Sequence, residues 1–154
     1  MQVSGTHPIA RTNAGFSALI ELTGISRQAL ADALGVRDRT VRRWCIATDE
    51  GEWHAPDNAW EFLEALYERQ QAAIDAALDQ LDLVRDSQGH DPDEVVLTYF
   101  RSQSEYDEHG RDEGNFACVN ATARAVADAL VSEGVPVRFE YWDTGAVQTP
   151  GSRY

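Results

Sequence analysis

The chain has 154 residues, 43% of them apolar and 25% charged, and a formal net charge of −13. That length makes one compact unit or two small ones, and a domain of this size buries about 68–70% of its unfolded surface, so it needs no disulfide or metal staple. There is no run of about 18 apolar residues, and no basic start followed by an apolar stretch, so neither a transmembrane helix nor a secretory leader is predicted and the expected compartment is the cytoplasm.

Residues 1–12 read as a flexible lead. Asn13 then precedes an apolar-periodic stretch, Phe16, Leu19, Ile20 and Leu22, whose spacing predicts a helix over about 14–23 ended by Gly24. Ser26 is a good N-cap for a second helix over Arg27–Leu34, which Gly35 stops. Asp38 or Arg37 opens a third helix that runs to about Ile46, and the polar, acidic stretch Thr48–His54 is a loop. Pro56 and Asp57 begin a long helix. Its apolar positions, Trp60, Leu63, Tyr67, Ile74, Ala77, Leu81 and Val84, recur at steps near three and four, broken at Gln70 and widened by Phe62, Leu66 and Ala73. Such a stripe suits a two-helix dimer seam or a long helix packed on its own domain.

Ser87–Asp93 holds Gly89 and Pro92 and reads as a loop. Glu94–Phe100 is β-branched and aromatic, which predicts a strand. Ser102–His109 fits a short polar helix. Asn115 caps an amphipathic helix with Phe116, Val119, Ala123, Val126, Leu130 and Val131 inward, ended by Gly134. Val135–Trp142 alternates Val135, Val137, Phe139 and Tyr141 against Arg138, Glu140 and Trp142, a second strand, and Asp143–Tyr154 reads as a tail. The expected fold is mainly α with a small α+β part: an N-terminal helix-turn-helix bundle, a long central helix and a C-terminal region of two strands and a helix. The expected domains are 13–86, including the long helix, and 87–143, with flexible ends at 1–12 and 144–154.

Net charge hides an asymmetry. Residues 1–48 carry Arg11, Arg27, Arg37, Arg39, Arg42 and Arg43 against Glu21, Asp32 and Asp38, a net of +3, and the remainder carries −16. All thirteen basic residues are Arg; there is no Lys. Cys45 and Cys118 form no CxxC pair and are expected to be free, buried thiols. His7, His54, His90 and His109 each lie too far from one another and from Cys for a zinc site, so no metal or cofactor is expected.

The residues 25–44 meet the requirements of a helix-turn-helix. Two short helices that cross closely need a small residue at the crossing, a turn residue that tolerates positive φ and apolar residues toward the bundle. Ala31 and Gly35 fill the first two positions; Leu30, Leu34, Val36, Val41 and Trp44 fill the third. Outward on the third helix lie Arg37, Asp38, Arg39, Thr40, Arg42 and Arg43. Arg can read guanine O6 and N7 bidentately and can grip phosphate. Arg27, at the start of the preceding helix, is placed for a phosphate. Asp38 suits an N-cap better than a contact to a cytosine amino group.

The stretch Gln28–Trp44 resembles the helix-turn-helix of Xre-type repressors. The wider order is a helix-turn-helix, Pro56 opening a long helix, the aromatic strand Thr98-Tyr99-Phe100, then Glu105-Tyr106 and a helix after Asn115. Over roughly residues 13–142 that order is similar to the YdiL-like proteins, a group that includes a branch of the anti-CRISPR-associated (Aca) repressors. Cys45 and Ala47 stand where Xre-type motifs usually carry Glu and Gly after the Trp. The resemblance implies a homodimer whose N-terminal parts bind the halves of an inverted repeat in double-stranded DNA and whose C-terminal α/β part dimerises. It implies repression of the protein's own operon in a phage or mobile element, with Arg27, Arg37, Arg39, Thr40, Arg42 and Arg43 facing DNA.

The alternative function is an antitoxin-like or protein-interaction module whose acidic C-terminal half binds a basic partner. An RNA stem-loop is the other nucleic acid the Arg-rich helix could hold. No motif pairing a nucleophile with a base occurs, so no enzyme and no catalytic residue is expected. Asp91-Pro-Asp-Glu94 lacks the spacing of a calcium loop. Asn120-Ala-Thr122 matches a glycosylation acceptor that a cytoplasmic protein would not use.

Overall fold

Thr12, and not Asn13, caps the first helix in the computed structural model, which describes residues 9–110, 112 and 114–142. The Thr12 hydroxyl accepts from the Gly15 amide at 2.9 Å, satisfying one of the N–H groups that a helix start leaves without an intrahelical acceptor. Helix α1 (Asn13–Thr23) therefore begins a residue earlier than the apolar pattern implies. Residues 1–8 of the expected lead, and the expected tail, lie outside the described residues. The end of the lead is held: Arg11 donates to both carboxylate oxygens of Glu64 at 3.1 and 2.7 Å. Its guanidinium also lies 5.7 Å from the centre of the Trp60 ring.

Helix α2 (Arg27–Leu34) starts at Ser26, whose side chain accepts from the Ala29 amide, and stops at Gly35. Gly35 sits at φ 70°, a left-handed conformation that costs a residue without Cβ little and any other residue more. Helix α3 (Asp38–Ile46) follows, and α4 (Asp57–Gln88) is a single helix of 32 residues. The described residues divide into two units between Glu68 and Arg69, within α4.

The first unit closes around Phe16, Leu19, Ile20, Ile25, Leu30, Ala31, Val41, Trp44, Ala59, Trp60 and Leu63, all buried. Phe16 meets Trp44 and Trp60 edge-on, with ring centres 5.9 and 5.2 Å away. Such edge-to-face pairs add about 0.5–1.5 kcal/mol each to the burial itself.

The second unit takes up the chain in α4 and continues through strand β1 (Val95–Tyr99), helix α5 (Gln103–His109), helix α6 (Phe116–Ser132) and strand β2 (Val137–Tyr141). Two helices intervene between the strands, enough chain for a crossover, and the strands pair in parallel with Val95 opposite Val137 and Tyr99 opposite Tyr141. Ala77 and Leu81 of α4, Leu97 of β1, Val126, Ala127 and Leu130 of α6 and Val135 form the core, with Ala73, Ile74, Val95 and Val137 packed against it. The stripe on α4 is thus consumed at both ends by the chain's own cores.

β2 departs from its expected alternation. Val135 is buried and Val137 half-buried, but Phe139 and Tyr141, expected inward, are 43% and 55% exposed. They share a face and lie against Tyr99 of β1, around a shallow cavity that Arg124 of α6 also lines.

Asn120 joins α6 to the end of β1. Its amide accepts from the Phe100 N–H at 3.0 Å and donates to the Phe100 carbonyl at 2.8 Å, replacing a strand partner with one side chain. Both ends of this buried amide are in use, so a sugar could be attached only to an unfolded chain. Asn120→Ala leaves two buried backbone groups without their partner and should lower the unfolding free energy by about 1–3 kcal/mol in urea titrations.

At the α5–α6 loop, Asp112 accepts from the Tyr106 hydroxyl and from the Gly114 amide, which hold its carboxyl below the usual carboxylate range. A depressed folded-state value stabilises the fold above the unfolded value, and that stabilisation is lost as pH falls through the folded one. Asp112→Asn should therefore make stability fall less steeply than in the parent chain below about pH 4, read from urea midpoints across an acid pH series.

Candidate nucleic-acid interface

The two helices of the predicted motif cross as its sequence requires. On α2, Leu30 and Ala31 are fully buried; on α3, Val41 and Trp44 are buried; Leu34 and Val36 are half-buried at the margin. The Val36 amide donates to the Ala31 carbonyl at 3.0 Å, closing the turn through Gly35.

Helix α3 opens at Asp38, one of its two expected starts, but the N-cap expected of Asp38 falls to Arg37. Arg37 holds the N-cap position in extended backbone and its side chain makes no capping bond, while Asp38 is the first helical residue. There the Asp38 carboxylate lies by the partial positive charge of the helix start and 3.9 Å from Arg27 Nε. Both partners are well exposed, so the pair contributes little to stability. It does link the beginnings of α2 and α3.

With Val41 and Trp44 inward, the helical period turns Arg39, Arg42 and Arg43 to the opposite, exposed face. Arg37 is exposed just before the first turn, Thr40 sits half-buried on the flank, and Arg27 is exposed on the neighbouring helix. Arg43 stacks on Trp53, its guanidinium carbon 4.5 Å from the ring centre. In the rest of the fold most guanidinium groups are taken up, with the exposed Arg69 of α4 an exception among the described residues. Arg11 pairs with Glu64, Arg85 with Asp91 and Glu133, Arg101 with Glu105, and Arg138 with Glu94 and Glu140. Arg37, Arg39 and Arg42 have no ion-pair, hydrogen-bond or ring partner among the described residues. In a chain with 26 acidic side chains against 13 Arg, three unpaired guanidinium groups on or beside one nine-residue helix form a distinct local charge.

Three residues of this region escape the sequence pattern. Asn13, read as the residue before α1, is buried in its first turn. Its backbone N–H donates to Asp49 at 2.8 Å and its side-chain amide donates to the carbonyls of Ala47 and Trp53 at 3.0 and 2.9 Å. One side chain thereby pins the 47–53 loop, and that loop carries Trp53 to Arg43. A Trp in an otherwise polar, acidic loop is the signal that could have found the contact. Ile46 is the third: 66% exposed, it extends the outward face one turn beyond Arg42 and Arg43.

The remaining candidate groups are occupied or unreactive. Cys45 and Cys118 are free but half-buried, not fully buried. Desolvation raises the Cys45 thiol, with Arg27 opposing, and pushes the Cys118 thiol up to about 11, so both stay protonated near neutral pH. Asp91 accepts from Arg85 Nε at 2.6 Å, which holds its carboxyl below the usual range. Among the described residues no three His, Cys, Asp or Glu side chains converge on a metal position, and no helix is long and apolar enough to cross a membrane. No family model and no curated protein matches the chain.

Asn13→Ala should cost about 1–3 kcal/mol by leaving the Ala47 and Trp53 carbonyls without their donor. It should also raise amide hydrogen exchange in residues 47–53 while amides of α2 keep their protection; equal acceleration in both would deny the loop its separate anchor.

Proposed function

We propose that the chain is a sequence-specific DNA-binding transcriptional repressor that works as a homodimer in the cytoplasm. It would act on an inverted repeat controlling its own operon, in a phage or mobile element. The observation that carries this reading is the unpaired state of Arg37, Arg39 and Arg42 on and beside the second helix of a helix-turn-helix. A recognition helix enters the major groove with its first residues toward base edges. In that pose Arg37, Arg39 and Thr40 reach the bases, and Arg42 and Arg43 reach bases or the flanking phosphates. Arg27 lies at the start of α2, where a phosphate contact would replace its long pair with Asp38. Ile46 offers an apolar surface of the type on which a thymine methyl packs.

The acidic remainder of the chain gives this pose its selectivity. Non-specific binding is dominated by phosphate neutralisation, and a chain at −13 is repelled by a polyanion in most orientations. Among the described residues the α3 face gathers three unpaired guanidinium groups, and it meets DNA with the opposite sign. Two such faces on a dimer match half-sites about 34–36 Å apart.

Arg39→Ala with Arg42→Ala should reduce affinity for the DNA upstream of the gene by about 1–3 kcal/mol for every guanine that the two side chains read. For every phosphate that they neutralise, the dependence of log K on log salt should flatten by about 0.9. Anisotropy titrations at several stated salt concentrations, with circular dichroism as the folding control, measure both. Unchanged affinity and slope remove α3 as the reading helix, and stronger competition by a hairpin RNA than by duplex DNA moves the ligand to RNA.

A further inference from the structure

We infer that β2 is a dimer interface: it pairs antiparallel with β2 of a second copy of this chain, about a two-fold axis at Phe139, to make one four-stranded sheet. This rests on the homodimer of the proposed function and adds the surface that would form it. Among the described residues only β1 pairs with β2, so the other edge of the strand is open. The Pro136 carbonyl accepts from Val95 N–H and the Trp142 N–H donates to the Tyr99 carbonyl, so the even-numbered residues of β2 direct their backbone groups to β1. By the two-residue period, Val137, Phe139 and Tyr141 direct theirs to the open edge.

An open edge is usually blunted by Lys, Pro or an inward charge. This one carries Arg138 and Glu140, one residue on each side of Phe139. In an antiparallel pairing centred on Phe139, the outward backbone groups meet as hydrogen-bonded pairs, Phe139 with Phe139 and Val137 with Tyr141 of the other copy. Arg138 then falls opposite Glu140 of the second copy, and Glu140 opposite its Arg138, at the closer, non-hydrogen-bonded positions. A pairing centred on residue 138 sets Arg against Arg, and one centred on residue 140 sets Glu against Glu. Charge thus selects one register of the three, and that register is its own mirror under a two-fold axis, as an isologous dimer requires. On the other face it brings the exposed rings of Phe139 and Tyr141 from both copies together, continuing the ring contacts each already makes with Tyr99. Arg138 holds Glu94 and Glu140 within its own chain, and the pairing gives it a further carboxylate across the axis.

Sedimentation velocity of the full chain tests this with charge reversals. The parent chain should run as a dimer. Arg138→Glu and Glu140→Arg should each weaken self-association by about tenfold or more, because each sets like charges opposite one another twice. Mixing the two folded variants should restore a dimer, since the carboxylate introduced at position 138 of one then meets the guanidinium introduced at position 140 of the other. The double reversal should dimerise alone. A monomeric parent chain, single variants as dimeric as the parent, or a mixture that fails to associate although both variants keep their circular dichroism, would each overturn the pairing. Duplex binding, measured on the same samples, separates this from the repressor reading: a parent chain that dimerises through β2 and ignores DNA removes the repressor and leaves the interface standing. A chain that binds DNA as a dimer despite either single reversal does the opposite.

Discussion

Phe16 meets both Trp44 and Trp60 in T-shaped contacts, and through them it ties α1 to α3 and to the start of α4. The orientation of α3 hangs on that contact. Trp44 lies three residues from Val41 on the helix, so with both held inward the helix has no rotational freedom left. Arg39, Arg42, Arg43 and Ile46 must then face out. The exposed charge is a consequence of the buried rings: with α3 indexed by its core, Arg42 cannot turn inward. A short helix of nine residues has little stability of its own, so packing and not propensity must supply the indexing.

Each unit also depends on one buried Asn used as a clamp. Asn13 takes two loop carbonyls, and Asn120 takes both backbone groups of Phe100. An amide is suited to this because it carries a donor and an acceptor on a short, stiff arm and has no charge to desolvate. The first clamp fixes a loop that lacks regular structure; the second closes the end of a strand whose sheet has no third member among the described residues. Arg11 and Arg85 do comparable work nearer the surface: Arg11 gathers Asp57 and Glu64, and Arg85 gathers the nearby Asp91 and the distant Glu133.

Much of this architecture is legible in the sequence because its signals are local. Ser26, Ser102 and Asn115 each cap the helix that they precede, and Gly24 and Gly35 end theirs. The inward set of the helix-turn-helix follows from spacing alone. What was not legible depends on partners distant in sequence. Alternation says that Val137, Phe139 and Tyr141 share a face, but it cannot say that burial falls off after Val137. The stripe on α4 is continuous, and nothing in its period reveals that Trp60 and Leu63 serve one core while Ala77 and Leu81 serve another. Asn13 looks like a cap because Asn caps helices well; Thr12, one residue earlier, is as able, and the carbonyls of the 47–53 loop decide between them. Asp38 cedes the N-cap to Arg37 by the same margin of one residue.

The unpaired guanidinium groups on and beside α3 have a further consequence. Guanidinium stays protonated at every pH at which a fold survives, and it is not a substrate for the acyl transfer that neutralises lysine amines. With no Lys anywhere in the chain, no ε-amino group exists whose acetylation could erode the charge of this face. Lysine acylation therefore cannot regulate the face, whereas covering it or competing for it can.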